Sequence, residues 1–469
     1  MALVKEYFEL TNKYQAEYGT NTILLMQVGS FHETYALQDK TTSLISGSQI
    51  EDFSRICDLN IASKNISIGN ASVVMAGFGC YMIDKYIKKM QEAGYTIVVY
   101  NQDEQKSNTT RSLAGIFSPG TYFSHDAIKI TNNTTCIWIN VVEPSILTSK
   151  YFSKKNGSHG GNGGNGINSS GVANKKMVYV GLANINIYTG ETSIFEFKET
   201  YLNSPTTFDE LERFISIYDP CEVIIIANVA DKEIDNIISY ANIQCSTIHK
   251  INLLTTTTTK QNTEIMQRAL NSEKQNYQKA LLERFYSISD FSVFSQNFYE
   301  NAIATQAFCF LLDFIYQHNP NLVNKISEPK FENSSDRLIL ANHSLKQLNI
   351  IDDNTYTGKY SSVEKMLNLC LTSMGKRRFS YNLLNPSTNV TYLQQEYDIT
   401  EYILAKYSDY EFLKINLSII KDISKLNRQI FIKKISPKSL CQFYNNLHVI
   451  KTIFTTCQSD VTLMTYLYA

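Results

Sequence analysis

Thr22-Ile23-Leu24-Leu25-Met26-Gln27-Val28 runs without a charge into Gly29-Ser30-Phe31-His32-Glu33-Thr34-Tyr35. The seven residues before Gly29 read as a short buried strand, with the glycine as its end. Ser72-Val73-Val74-Met75-Ala76 repeats that pattern and is closed by Gly77 and Gly79. Met82, Tyr86, Ile87 and Met90 then recur at helical spacing, with Lys85, Lys88 and Lys89 off the stripe. Gly94 stops that helix, Thr96-Ile97-Val98-Val99-Tyr100 is a third strand, and Pro119-Gly120 marks an exit turn. Strand, strand, helix and strand make a small mixed α/β domain over residues 1–125.

A second α/β unit follows over residues 126–260. It opens with the strand Thr135–Val141, and its Gly/Asn-rich stretch, 153–175, reads as a disordered surface insertion. Met177–Ile187 and Thr192–Phe197 flank Thr189-Gly190 as a hairpin. Thr207-Phe208-Asp209-Glu210 has the form of a capping box for a helix through Tyr218; Pro220 breaks it before the strand Glu222–Ile226. The threonine run 255–259 closes the unit. Residues 261–469 are helical in pattern, with Ala302, Thr305, Phe308, Leu311, Leu312 and Ile315 ahead of Pro320. The periodicity continues through Val363-Leu367-Leu371, Leu413-Leu417-Ile420 and Leu440-Tyr444-Leu447.

Bulk properties exclude several classes. The 469 residues suggest about three domains of roughly 150 residues. A net charge of −1 rules out a general polyanion binder, so any nucleic-acid contact must come from local basic faces. The nine cysteines contain no C-x-x-C pair, which speaks against structural zinc or a disulfide framework and suits a reducing, intracellular compartment. Met1 to Gln15 mixes acids, lysines and aromatics and lacks the apolar core of a secretory signal. No apolar run is long enough to span a bilayer, and Asn133-Thr134-Thr135 reads as a polar turn rather than a glycosylation acceptor. Thirty tyrosines against one tryptophan, with abundant Asn, Ile and Lys, hint at an A/T-rich coding sequence.

No catalytic motif emerges. A phosphate-cradling loop needs Gly-Lys followed by a hydroxyl residue, and Gly358-Lys359-Tyr360 and Gly375-Lys376-Arg377 supply none. Where a two-metal nuclease wants carboxylates, the second unit offers Asn140, Glu143, Asn184 and Asn186. The seven histidines show no paired metal spacing, and no Ser or Cys sits in a nucleophile elbow. Binding remains. At the glycine break, Phe31 and Glu33 form an aromatic–carboxylate pair: a ring can wedge beside a base while a carboxylate accepts from an exposed base edge. On the residues alone, a core Phe31 and a solvated Glu33 fit better.

Several segments together resemble the MutS family of DNA mismatch-repair proteins. Met26 to Tyr35 looks like its F-x-E motif, and Met75-Ala76-Gly77-Phe78, Gly94 to Gln102 and Ser118-Pro119-Gly120-Thr121 are similar to the rest of its first domain. Leu340 to Leu345 with Leu348-Asn349-Ile350, and Leu371 to Arg377 through Leu384-Asn385-Pro386, resemble segments of its helical core. The resemblance implies a mismatch-binding domain, a ribonuclease-H-like connector and a mainly α-helical core. It implies DNA contacts at Phe31 and Glu33, with Gly29, Ser30, His32, Met75 and Gly77 around them. The implied partner is double-stranded DNA with mismatches or small loops, with a homodimer at full length and no membrane. The clamp tip and the ATPase of the family are expected to be missing from this chain, which would carry no cofactor; ATP and Mg belong to that missing part. Composition and divergence associate the chain with large-virus or organellar branches. The alternative is a MutS-like clamp or scaffold that binds branched DNA or partner proteins without sensing mismatches. Ser30 and His32 depart from the usual acid and Tyr of the motif, Asn349 stands in place of a Glu, and Lys425 and Asn427 replace acids.

Overall fold

A computed structural model describes residues 2–103, 110–123, 130–142, 176–245, 247–254, 260–286, 291–332, 337–338, 342–352 and 358–468. The stretch 153–175, Glu143, the threonine run and Leu340-Ala341 lie outside the described residues.

Strands β1 (Thr22–Val28), β2 (Phe31–Asp39), β3 (Ile45–Ser46), β4 (Ala62–Ile68), β5 (Ala71–Gly79), β6 (Thr96–Gln102) and β7 (Arg111–Phe117) form the first sheet. Its order is β4-β5-β2-β1-β6-β7, with β3 attached to β2. β1 lies centrally, and its Ile23–Met26 stretch is apolar and buried because both sheet faces are covered there. Leu24 and Met26 pack with Tyr35 and Val98 under helix α1 (Ala2–Tyr18). Ile23 and Leu25 pack on the opposite side with Phe53 of α2 (Ile50–Cys57) and Met90 of α3 (Ile83–Glu92). The N-terminal stretch, unremarked in sequence except as lacking a signal, is thus a helix. Val4, Tyr7, Thr11, Tyr14 and Tyr18 form its buried stripe, and Tyr7 Oη pairs with Thr34 Oγ1 at 2.6 Å. α3 ends where expected: Gly94 takes φ +84° just beyond it.

The second sheet comprises β8 (Asn133–Val142), β9 (Met177–Asn186), β10 (Thr192–Thr200), β11 (Glu222–Ala227), β12 (Thr247–Asn252) and β13 (Lys330–Phe331), ordered β12-β11-β8-β9-β10-β13. β8, β9 and β10 form an antiparallel meander, while β11 and β12 run parallel to β8. α4 (Asp209–Tyr218) and α5 (Asp231–Tyr240) bury Phe214, Leu211, Ile234 and Ile237 against one face. The expected capping box at Thr207 does not form. Thr207 Oγ1 instead accepts from Leu202 N at 3.3 Å, and a 3-10 turn over Pro205–Phe208 leads into α4 without a side-chain cap.

The opposite face is covered from further along the chain. After α6 (Lys260–Ser272), α7 (Gln275–Phe285) and α8 (Phe291–Glu300), helix α9 (Ala302–His318) lays Phe308, Leu311, Leu312 and Ile315 against Trp138, Ala183, Ile185 and Ile224. Glu196 of β10 accepts from the N–H groups of Ile303 and Ala304 at 2.8 and 2.9 Å, satisfying orphan donors at the start of α9. Helices assigned by pattern to the third unit therefore complete the core of the second.

The remaining helices are α10 (Asn342–Gln347), α11 (Val363–Leu367), α12 (Ser373–Leu384), α13 (Val390–Ala405), α14 (Glu411–Ile419), α15 (Ile423–Phe431), α16 (Pro437–Cys457) and α17 (Val461–Tyr468). The periodicity through Val363-Leu367-Leu371 is not one helix. α11 stops at Leu367, and a new helix starts at Ser373, where Thr372 Oγ1 accepts from Gly375 N at 3.0 Å. Leu440, Tyr444 and Leu447 are on a helix but exposed. Arg428 of α15 ties this region to the rest: its buried guanidinium donates to the carbonyls of Leu322, Asn324 and Lys325, and burial pulls its pKa down to about 10. Among the described residues, no helix is long and apolar enough to cross a membrane.

Candidate functional site

The hairpin between β1 and β2 turns in two residues, Gly29 and Ser30, with Val28 opposite Phe31. Gly29 takes φ +60°, the positive value that such a loop needs at its first central position. Neighbouring strands brace the turn. Gly29 N donates to Gln102 Oε1 at 3.1 Å, Gln102 N donates to Gln27 Oε1 at 3.0 Å, and Cys80 N donates to Ser30 O at 2.8 Å. Arg111 Nε donates to Gln27 O at 2.7 Å.

Beyond the turn, the pleat sorts the side chains. Phe31, Glu33 and Tyr35 project to one face, and their antiparallel partners Gly79, Gly77 and Met75 share it. Phe31, at the rim, is 54% exposed. Glu33, two residues inward, is only 8% exposed. Its carboxylate accepts from Tyr35 Oη at 2.5 Å and from Lys64 Nζ of β4, while Lys64 Nζ also donates to Tyr35 Oη at 2.9 Å. Burial, then the bond to Glu33, raises the Tyr35 pKa, so its hydroxyl stays a donor. Gly77 is required here: a Cβ on it would lie 2.8 Å from His32 O and 3.2 Å from Glu33 Cγ.

The structure therefore brings Phe31, Glu33, Met75 and Gly77 onto one face, with Gly29 and Ser30 at its edge. It does not bring His32 there. His32 points through the sheet, 3% exposed, with Nε2 paired to Asn101 Oδ1 at 3.1 Å and its ring 5.9 Å from Phe78. Burial lowers its pKa, keeping the imidazole neutral. The plainer sequence alternative, a core Phe31 and a solvated Glu33, is reversed on both counts. Sequence reading passed over Lys64, whose signal is a lone cation in the alternating stretch Ala62–Ile68.

Removing one partner of a mostly buried ion pair strands the other. A Lys64→Met chain is expected to lose about 2 kcal/mol of stability. Adding Glu33→Gln should recover part of it; denaturant midpoints of the two single variants and the double check this.

A small sheet with the exposed ring of Phe31 at a braced rim, followed by a second sheet and a helical region, defines a mixed α/β and helical multidomain protein. Residues 1–126 match the model of MutS domain I, and residues 343–464 match that of MutS domain III. The chain belongs to the MutS family. A putative DNA mismatch repair protein mutS homolog of Acanthamoeba polyphaga mimivirus is 26% identical over 471 residues, covering 97% of this chain and 39% of that protein. The mitochondrial DNA mismatch repair protein mutS homolog of Sarcophyton glaucum is 24% identical over 498 residues, covering 94% and 45%. The DNA mismatch repair protein MutS of Petrotoga mobilis is 22% identical over 467 residues, covering 98% and 45%. The chain thus spans less than half the length of these relatives.

Proposed function

We propose that this chain binds double-stranded DNA carrying mismatches or small loops, within DNA mismatch repair, and that Phe31 tests the base stack. The observation that carries the reading is the exposed ring of Phe31 on a hairpin braced from β6, from β7 and from the turn after β5, inside the segment that matches MutS domain I. Inserting a ring costs a few kcal/mol of unstacking, and less at a weakened pair, so discrimination lies in how readily the DNA deforms. Glu33 reaches a base edge only by leaving Lys64 and Tyr35, and an unpaired base offers the replacement donor. The strand order of the second sheet, a three-strand meander followed by two parallel strands, supports reading it as a ribonuclease-H-like connector. ATP hydrolysis with Mg, homodimer formation and an intracellular, reducing location are proposed for the whole protein.

The test compares the affinity of the chain for a G·T duplex and for its matched counterpart at fixed salt, because phosphate contacts make affinity steeply salt-dependent. The mismatch is expected to bind roughly tenfold tighter, and Phe31→Ala to abolish most of that preference, since base–aromatic stacking is worth roughly 1–3 kcal/mol. Equal affinities in the unmutated chain defeat the reading. The closed state of Glu33 favours one alternative, a clamp on branched DNA that senses no mismatch. That alternative gains if junction binding persists while Phe31→Ala changes nothing.

A further inference from the structure

Tyr81 stands 90% exposed, more than any other large apolar side chain among the described residues. It lies in the short 3-10 turn Cys80–Met82 that follows β5. Its ring folds back over Gly79: a Cβ on that glycine would sit 2.6 Å from Tyr81 Cε1 and 3.1 Å from Cδ1. Gly79 is the register partner of Phe31. Directly opposed residues of an antiparallel pair project to the same face, with Cβ positions about 5 Å apart. The Tyr81 ring therefore fills the slot that a side chain at position 79 would have taken, next to Phe31. The placement is fixed by backbone, since the N–H of Cys80 donates to Ser30 O at 2.8 Å across the mouth of the hairpin.

Two aromatic side chains, Phe31 at the start of β2 and Tyr81 in the turn after β5, thus lie at one rim, and folding leaves both exposed. Isolated exposed rings are ordinary, but an exposed ring seated over the register partner of another exposed ring is a candidate contact surface. We propose that Tyr81 is a second base-contacting residue of this interface, packing its ring on the nucleotide next to the one met by Phe31. The inference rests on the DNA-binding reading above and extends it, because two rings grip an opened step from two sides. Every nucleotide presents a π-face, so such packing would serve any sequence context. Discrimination would come from the step being open enough to admit both rings.

The experiment uses the 469-residue chain and a G·T duplex with 2-aminopurine beside the mismatch, whose emission reports stacking at that base. Tyr81→Ala is expected to weaken binding to the mismatched duplex roughly tenfold and to remove the emission change, in line with the loss of one base–aromatic stack. Tyr81→Phe should keep both, and an unchanged thermal midpoint in both variants confirms that the fold is intact. If Tyr81→Ala binds and reports like the unmutated chain while Phe31→Ala loses its preference, the role of Tyr81 is overturned and the mismatch reading stands. Failure of Tyr81→Phe alongside Tyr81→Ala overturns ring packing in favour of the hydroxyl. If the unmutated chain does not prefer the mismatch, both proposals fall together.

Discussion

A Gly181→Ala chain is expected to lose about 3 kcal/mol or more of stability in its second unit. Gly181 lies in the middle of β9, between Trp138 of β8 and Glu196 of β10. An added Cβ would lie 2.3 Å from Ala304 N and from Ile303 C, and 2.5 Å from Ile303 O. Those atoms are backbone, so no side-chain rotation relieves the overlap. The first turn of α9 is also held down, because Ile303 N and Ala304 N both donate to Glu196. Either α9 lifts, opening the layer that contains Phe308, Leu311 and Leu312, or β9 bends away from its neighbours. The only tryptophan, Trp138, is buried in that layer and reports the transition by fluorescence. An unshifted denaturation midpoint would show that α9 does not seat on Gly181.

The second large effect is acid lability where the first unit joins the second. Glu222 of β11 is fully buried and gathers donors from several directions. Its Oε2 accepts from Ser118 Oγ at 2.5 Å and from Gly120 N at 2.9 Å, and its Oε1 pairs with His249 Nε2 of β12 at 2.6 Å. Burial is the largest single influence and works to raise its pKa, but the His249 bond and charge, His318 and the Ser118 bond together outweigh it and the net shift is downward. His318 at the end of α9 has its pKa lowered to about 4 by burial, with Glu222 opposing the shift and His249 and Arg268 adding to it. An unfolded histidine titrates near about 6.5, so the unfolded chain takes up the His318 proton first as pH falls. Its stabilising contribution is whole above about pH 6.5 and drains away toward pH 4, roughly 3 kcal/mol in all. Glu222 adds a loss of the same sign at lower pH, as its own depressed pKa is approached. The Trp138 transition is expected to weaken by about 2 kcal/mol between pH 7.5 and pH 5, and a His318→Gln chain to lose much less over that interval. Equal pH slopes in the two chains would remove His318 as the cause.

How far the sequence discloses this molecule depends on where each residue's partners lie. β1, β5, β6, β8 and β11 are legible because both faces of each are largely buried, and hydrophobicity alone records that. α1 is not, because three of its five buried positions are tyrosines and one is Thr11, whose polar ends find partners that only the fold supplies. β2 hides for the same reason: His32, Glu33 and Thr34 are buried with specific bonds to Asn101, Lys64 and Tyr7. The outer strands β4 and β7 carry many exposed residues and offer little apolar signal. At the site, position after a strand brings Phe31 and Glu33 forward as a pair, but only the resemblance to the MutS family makes a contact role the better reading. Their surroundings were not legible, because the contrast between a rim ring and an enclosed carboxylate depends on Lys64 arriving from β4 and on bare glycines at 77 and 79. Thr207 shows the opposite error, a local motif whose hydroxyl was claimed by Leu202 instead.

The enclosure of Glu33 also bears on how the proposed DNA contact would treat an intact duplex. A naked carboxylate facing phosphates would repel an intact duplex at every position. With Lys64 and Tyr35 already holding that charge, the proposed DNA-facing surface would offer an undamaged duplex little of this repulsion. On the proposed reading, the energy to unmask Glu33 would be needed only at a step where Phe31 finds room, so the contact would be made selectively.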